Sequence, residues 1–357
     1  MIAIVVGTRP ELIKIFPLVK ELKKKKINFK IIHTGQHYSN NLNDIFLKYF
    51  NFLKISHQLN IGSHPQSKQT SLMMISIEKI LDKIKPDIVI VYGDTNTALA
   101  GALVASKNKK TKLLHLEAGL RSFEINMPEE TNRKIIDHIS DYLFAPTKMS
   151  KQLLLKEGIN ESKIFLLGNT IKDSIKILEP RIKKNLKTDL MIKNNNYFLV
   201  TIHREENLST KKRLKNILSL LEQVSKKFDK IVIFPCHPRT KILIKKFKIK
   251  LNKTVKLIDP IRYDHFLNLL YFSYLIISDS GGVQEETCIL KKKMITLRTK
   301  TERQETLKIG CNILSEINLE EVLKKIKLVK TRKIKWKNPY GQGNISEKMS
   351  NQILKLL

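Results

Sequence analysis

The sequence predicts an α/β protein of two doubly wound domains, and three observations predict it. Short, continuous Val/Ile/Leu-rich runs recur with helical stretches between them, a lysine- and asparagine-rich break divides the runs into two series, and polar motifs follow the runs closely. Continuous apolar runs, as opposed to alternating ones, mark strands buried on both faces of a parallel sheet. A length of 357 residues suits two domains better than one.

The first series comprises residues 2–6, 29–32, 88–92, 112–116, 142–145 and 164–167. Gly7-Thr8-Arg9-Pro10-Glu11 follows the first run, Thr34-Gly35-Gln36-His37 the second, Gly93-Asp94-Thr95 the third and Glu117-Ala118-Gly119-Leu120-Arg121 the fourth. The break, residues 177–196 with Pro180, reads as a linker after a first domain of residues 1–176. The second domain, residues 197–344, carries runs at 197–202, 231–235, 255–258, 275–278, 294–297 and, weakly, 312–314. Here His203-Arg204-Glu205-Glu206-Asn207, His237-Pro238-Arg239, Asp259-Pro260 and Asp279-Ser280-Gly281-Gly282 take the corresponding places. The carboxyl ends of parallel strands form the ligand crevice of open α/β sheets, so all eight motifs are expected to face one cleft between the domains.

Composition excludes several classes. With 42% hydrophobic and 28% charged residues the chain lies in the ordinary globular range. No apolar run approaches the roughly 18 residues that cross a bilayer, and the opening run is too short for a signal-peptide core. A cytoplasmic protein without membrane insertion is expected. Cys236, Cys288 and Cys311 are odd in number and far apart, which suits neither a disulfide framework nor a thiolate zinc site. The net charge of +33 comes mostly from lysine, with only 11 arginines among the 66 cations. Specific phosphate or base recognition leans on arginine forks, and no nucleic-acid-binding signature accompanies the lysines. They read as a solvated surface, with no specific nucleic-acid partner.

The chemistry is narrowed first by what is missing. There is no Gly-x-Gly-x-x-Gly, no P-loop, no Asp-x-Asp and no His-Glu-x-x-His, so neither a cofactor nor a metal is expected. Arg9 beside Pro10 puts a cation at a helix start, where N–H groups hold phosphate, and Lys14 lies one turn on. Ser280, Gly281 and Gly282 form a second such device, with Glu285 or Glu286 placed to accept ribose hydroxyls. Asp94, Glu117 and Glu129 lie at or beyond strand ends, positions that suit helix caps as well as acid/base groups. His203 and His237 are equally compatible with loop hydrogen bonding and with catalysis.

Taken in order, Gly7-Thr8-Arg9-Pro10-Glu11 with Lys14, Gly93-Asp94-Thr95, Glu117-Ala118-Gly119-Leu120-Arg121, Pro128-Glu129-Glu130 with Asn132-Arg133, Gly168-Asn169-Thr170, His203-Arg204 with Glu206-Asn207, Asp279-Ser280-Gly281-Gly282-Val283-Gln284-Glu285-Glu286 and Asn338-Pro339-Tyr340-Gly341 resemble the non-hydrolysing UDP-N-acetylglucosamine 2-epimerases. The likeness runs from residue 2 to about residue 343. It implies two Rossmann-like domains in the GT-B glycosyltransferase architecture, with a C-terminal helix in residues 345–357 packing back towards the first domain.

The resemblance also implies a reaction, reversible conversion of UDP-N-acetylglucosamine to UDP-N-acetylmannosamine through a glycal, in the service of polysaccharide biosynthesis. Asp94, Glu117, Glu129 and His203 would be catalytic; Arg9, Lys14, Arg204, His237, Ser280, Gly281, Gly282 and Glu286 would hold the UDP-sugar. Gln36 and His37 match a regulatory region of some bacterial relatives, and a homodimer is implied. One departure is visible: Gln304 in Thr301-Glu302-Arg303-Gln304-Glu305 replaces the family's Pro, which is expected to loosen the loop at Arg303. A 2-epimerase for a decorated sugar such as UDP-2,3-diacetamido-glucuronic acid, a hydrolysing epimerase, a GT-B glycosyltransferase and a polyanion-binding module are the competing readings.

Overall fold

Neighbouring parallel strands need a crossover of a dozen or more residues, and the helical stretches of this chain supply it. The computed structural model describes residues 1–36, 54–183 and 193–357, apart from the Arg239 side chain. These residues divide into two units, Met1–Lys176 with Pro339–Leu357, and Ile177–Asn338.

The strands of the first unit are β1 (Ile2–Val6), β2 (Phe29–His33), β3 (His57–Gln58), β4 (Ile88–Tyr92), β5 (Lys112–Leu116), β6 (Tyr142–Ala145) and β7 (Ile164–Leu166). Its helices are α1 (Arg9–Lys24), α2 (Gln66–Ile84), α3 (Asn96–Lys107), α4 (Pro128–Ile139), α5 (Lys148–Lys156) and α6 (Ile171–Ile182), the last of which ends in the second unit. The strands pair in parallel in the order β3-β2-β1-β4-β5-β6-β7. The sheet has one strand more than its apolar runs indicate, because the polar pair His57–Gln58 adds to the edge beside Ile32 and His33. Ala3, Val5, Val89 and Val91 pack against Met73, Ile77 and Leu81 of α2 and Ala98 and Ala102 of α3.

The second unit has β8 (Tyr197–Thr201), β9 (Ile231–Pro235), β10 (Val255–Ile258), β11 (Leu275–Ser278), β12 (Met294–Thr296) and β13 (Asn312–Leu314) in the parallel order β10-β9-β8-β11-β12-β13. Its helices are α7 (Glu205–Leu208), α8 (Lys211–Phe228), α9 (Pro238–Lys246), α10 (Tyr263–Phe272), α11 (Gly281–Ile289), α12 (Gln304–Lys308) and α13 (Leu319–Thr331). Successive strand residues face opposite sides. Phe198 and Val200 accordingly pack with Leu214, Ile217 and Leu221 of α8, whereas Tyr197 and Leu199 pack with Leu269 and Leu270 of α10. Both faces are covered, which is why the runs are continuously apolar.

The segment expected to be a linker is helical as far as Ile182, Pro180 included, and residues 184–192 of it lie outside the described residues. Pro339–Leu357, including α14 (Ile345–Leu356), belong to the first unit. Tyr340 O accepts from Asn169 N at 3.0 Å, and Asp173 accepts from Ser346 N at 2.6 Å and Oγ at 2.7 Å. Among the described residues no helix is long and apolar enough to cross a membrane.

Candidate active site

Strand order reverses between β1 and β4 in one sheet and between β8 and β11 in the other. At such switch points the loops beyond the carboxyl ends diverge and leave a crevice. At its switch point each sheet has two such loops: Gly7–Arg9 and Gly93–Asp94 in the first unit, His203–Arg204 and Asp279–Ser280 in the second.

In the first unit, Glu11 closes a capping box at the start of α1. Its carboxylate accepts from Gly7 N and Thr8 N, both at 2.7 Å, and from the Thr95 hydroxyl at 2.6 Å. Burial nevertheless pushes the Glu11 carboxyl up, against the lowering effect of those bonds. Gly7 N and Thr8 N are thus met within the turn, and Arg9 stands half-buried at the first helical position of α1.

Lys14, one turn on, is buried and pairs with Glu117. Glu117 also accepts from Asn169 Nδ2 at 2.8 Å, while Lys14 Nζ lies 5.6 Å from the centre of the Tyr92 ring. Glu117 has a left-handed backbone, φ +72°, where non-glycine residues are rare. A Cβ on Gly93 would stand 3.4 Å from Glu117 Oε2, so this carboxylate lies against the loop that carries Asp94. Asp94 is gripped by Arg133, at 2.9 Å from Nε and 2.5 Å from Nη2.

Sequence-predicted Glu129 is exposed in the first turn of α4. Its neighbour Glu130 turns inward instead. It accepts from Ser122 N at 2.9 Å and Phe123 N at 3.0 Å and pairs with Arg133 at 2.5 Å. Burial pushes the Glu130 carboxyl up, but these partners outweigh it and hold the group below its ordinary value. Of the two residues with an expected regulatory role, Gln36 is buried and accepts from Thr97 N at 3.2 Å and Thr97 Oγ1 at 2.9 Å. His37 lies outside the described residues.

In the second unit, Asp279 organises the loops. It accepts from Arg204 N and Asn207 Nδ2, both at 3.0 Å, and lies 3.1 Å from His203 Nδ1. Burial opposes ionisation of Asp279, but the His203 charge and these bonds hold its carboxyl below the ordinary range. With Nδ1 engaged, Nε2 is the His203 nitrogen left to meet a ligand, and 48% of the side chain is exposed. Arg204 donates from Nε to Asp279 O at 3.1 Å and reaches Glu302 at 3.4 Å.

Ser280 caps α11, and a Cβ on Gly281 would stand 2.3 Å from Glu302 Oε1, so any larger residue at that first helical position would have to displace the Glu302 carboxylate. Tyr263 donates to Glu286 Oε1 at 2.9 Å, and His237 is exposed just before α9. Arg303, despite Gln304 beside it, is buried and paired with Glu285 at 2.6 Å. Arg133, Asp279 and Glu302 hold Asp94, His203 and Arg204, yet the sequence distinguishes them from neighbouring polar residues only by their place in the motifs.

A family model described as UDP-N-acetylglucosamine 2-epimerase matches residues 20–354. The chain belongs to the UDP-N-acetylglucosamine 2-epimerase family. A relative from Methanocaldococcus jannaschii, named UDP-N-acetylglucosamine 2-epimerase, is 49% identical over 98% of this chain and 97% of its own length. A UDP-2,3-diacetamido-2,3-dideoxy-D-glucuronate 2-epimerase from Pseudomonas aeruginosa is 34% identical over 99% of both chains. The crystal structure of the M. jannaschii UDP-GlcNAc 2-epimerase in complex with UDP-GlcNAc and UDP is similar to this fold with a TM-score of 0.93, at 48% identity and covering 99% of each chain. The two parallel-sheet α/β units are thus those of an epimerase of this family, with its GT-B-like fold.

Proposed function

We propose that this family member interconverts UDP-N-acetylglucosamine and UDP-N-acetylmannosamine by eliminating and re-adding UDP. The observation that carries the reading is the pairing of chemistry in the two units: carboxylates set in cationic partners at the switch point of one, and a histidine, an arginine and a glycine-rich helix start at that of the other. The C2 hydrogen of the sugar is not next to a carbonyl, so its direct removal at neutral pH is too difficult. In the proposed route the anomeric C–O bond breaks with its electron pair leaving on UDP, and a carboxylate takes the C2 proton as the C1–C2 double bond forms. The reverse steps, with the proton returned to the other face of C2, complete the inversion.

Asp94, Glu117 and Glu129 are the proposed proton-transfer and charge-stabilising groups, and His203 assists departure of the diphosphate. Arg9, Lys14, Arg204, His237, Ser280, Gly281, Gly282 and Glu286 are the proposed UDP-sugar contacts, with no metal or added cofactor. Both sets must act on one substrate molecule. A homodimer in the cytoplasm, serving polysaccharide biosynthesis, completes the proposal on the strength of the family. The test is incubation with UDP-N-acetylglucosamine in deuterated water, which should give both epimers carrying deuterium at C2. No deuterium and no manno product would overturn the reading. The 34% likeness to the diacetamido-glucuronate enzyme supports a second substrate, and the same exchange experiment on that nucleotide sugar decides between them.

A further inference from the structure

His115 interrupts the otherwise apolar inner part of β5, and its side chain is almost completely buried. Both ring nitrogens are engaged: Nε2 lies 2.8 Å from Gly93 O and Nδ1 lies 2.7 Å from Asp137 Oδ1. Gly93 immediately precedes Asp94. The other Asp137 oxygen accepts from Gly119 N at 3.1 Å and pairs with Arg121 Nη1 at 2.7 Å. Arg121 is held in turn by Glu157, at 2.7 Å and 2.6 Å, and His138 lies 3.5 Å from the same carboxylate. One connected group of polar side chains, buried at His115, Asp137 and Arg121, thus ties the Gly93-Asp94 loop to the Glu117–Gly119 turn.

A backbone carbonyl only accepts hydrogen bonds. Burial opposes ionisation of Asp137, but the His115 and Arg121 charges outweigh it and keep the carboxyl below its ordinary value. Each ring nitrogen of His115 thus faces an acceptor oxygen, so the ring is held from both sides. We infer that His115 and Asp137 form a positioning pair for the epimerisation, fixing Asp94 through Gly93 and Glu117 through Gly119. The inference rests on the proposed acid/base role of those two carboxylates. An apolar pair of similar volume would fill the same space, and buried ion pairs are often replaceable in that way without loss of stability. The left-handed backbone at Glu117 (φ +72°) persists only where its surroundings hold it, and the Asp137 bond to Gly119 N, two residues on, is one of those holds. A misplacement of about 1 Å is enough to cost roughly a hundredfold in rate.

The experiment compares wild-type protein with His115→Gln, Asp137→Asn and the double variant, each assayed below its own melting temperature. It reads kcat, KM, C2 deuterium incorporation and the UDP dissociation constant. Each single variant should lower kcat about tenfold or more while KM and UDP binding change less than about twofold, and the double variant should be no worse than the poorer single one. Unchanged kcat, a rise in KM alone, or losses that multiply in the double variant would overturn the positioning role. If His115→Gln fails to fold, Asp137→Asn with His115→Asn gives the same comparison. Absence of C2 exchange in the wild type would overturn the epimerase reading and this inference with it; exchange in the wild type with kcat unaltered in the variants would overturn the inference alone.

Discussion

Glu117 is held in a conformation that costs a non-glycine residue on the order of 1–3 kcal/mol. Phe144 O accepts from both Glu117 N and Ala118 N, each at 3.2 Å, and Lys14 and Asn169 hold the side chain, so the surrounding fold imposes the conformation. Glu117→Gln keeps the shape and loses the charge; it should lower kcat by about 10² or more, as should Asp94→Asn and Glu129→Gln, with UDP affinity nearly intact. Turnover followed by NMR and UDP binding followed by calorimetry check this, and a change confined to KM would make the carboxylates binding groups. Asp279 gives a pH prediction. Its carboxyl is held below the ordinary 3.8 in the fold, so it contributes stability above that value and loses the contribution as pH falls through the lower folded value. The difference in Tm between wild type and Asp279→Asn should therefore be widest near neutrality and shrink below about pH 4. A gap that stays constant from pH 7 to pH 3 would contradict the assignment.

At the start of α11 two adjacent glycines have different surroundings. A Cβ on Gly281 would meet Glu302 Oε1 at 2.3 Å, whereas one on Gly282 would meet only Ser280 Oγ, at 3.9 Å. Glu302 is held by Arg298 at 3.0 Å and by Arg204. Gly281→Ala should accordingly displace Glu302, lower Tm and weaken UDP binding about tenfold, while Gly282→Ala should not lower Tm. Loss of UDP affinity in Gly282→Ala without loss of stability would mark the place where diphosphate meets the backbone. The strands around these loops are legible in sequence because burial on both faces leaves continuous apolar runs. His57–Gln58 is not legible, since a two-residue polar strand at a sheet edge buries too little to shape its composition. The end of α6 is hidden for the opposite reason: Pro180 signals a break, yet the helix runs on to Ile182. Motif order indicates Asp94, Glu117 and His203, but the groups that fix them are less visible. His115 looks like any buried strand residue until the structure places Gly93 O and Asp137 on either side of its ring.

On the scale of the whole chain, the +33 charge is largely lysine spread over many elements, and no retention on heparin or duplex DNA is expected at about 150 mM salt. A ligand that binds only the folded state stabilises it by mass action, about 2.7 kcal/mol at a hundredfold excess over its dissociation constant, so UDP should raise Tm in proportion to the logarithm of its concentration. Addition of a chelator should leave turnover unchanged, and activity that vanished with it and returned with a divalent ion would refute the metal-free reading. The return of Pro339–Leu357 to the first unit has a consequence for how the protein is made. A ribosome delivers residues in order, at roughly 5–20 per second. The second unit is complete at Asn338, while Asn169 and Asp173 of the first unit still await Tyr340 and Ser346. The half synthesised first is therefore the half that closes last, and until it does, a nascent chain carries the α1 surface that α14 will cover.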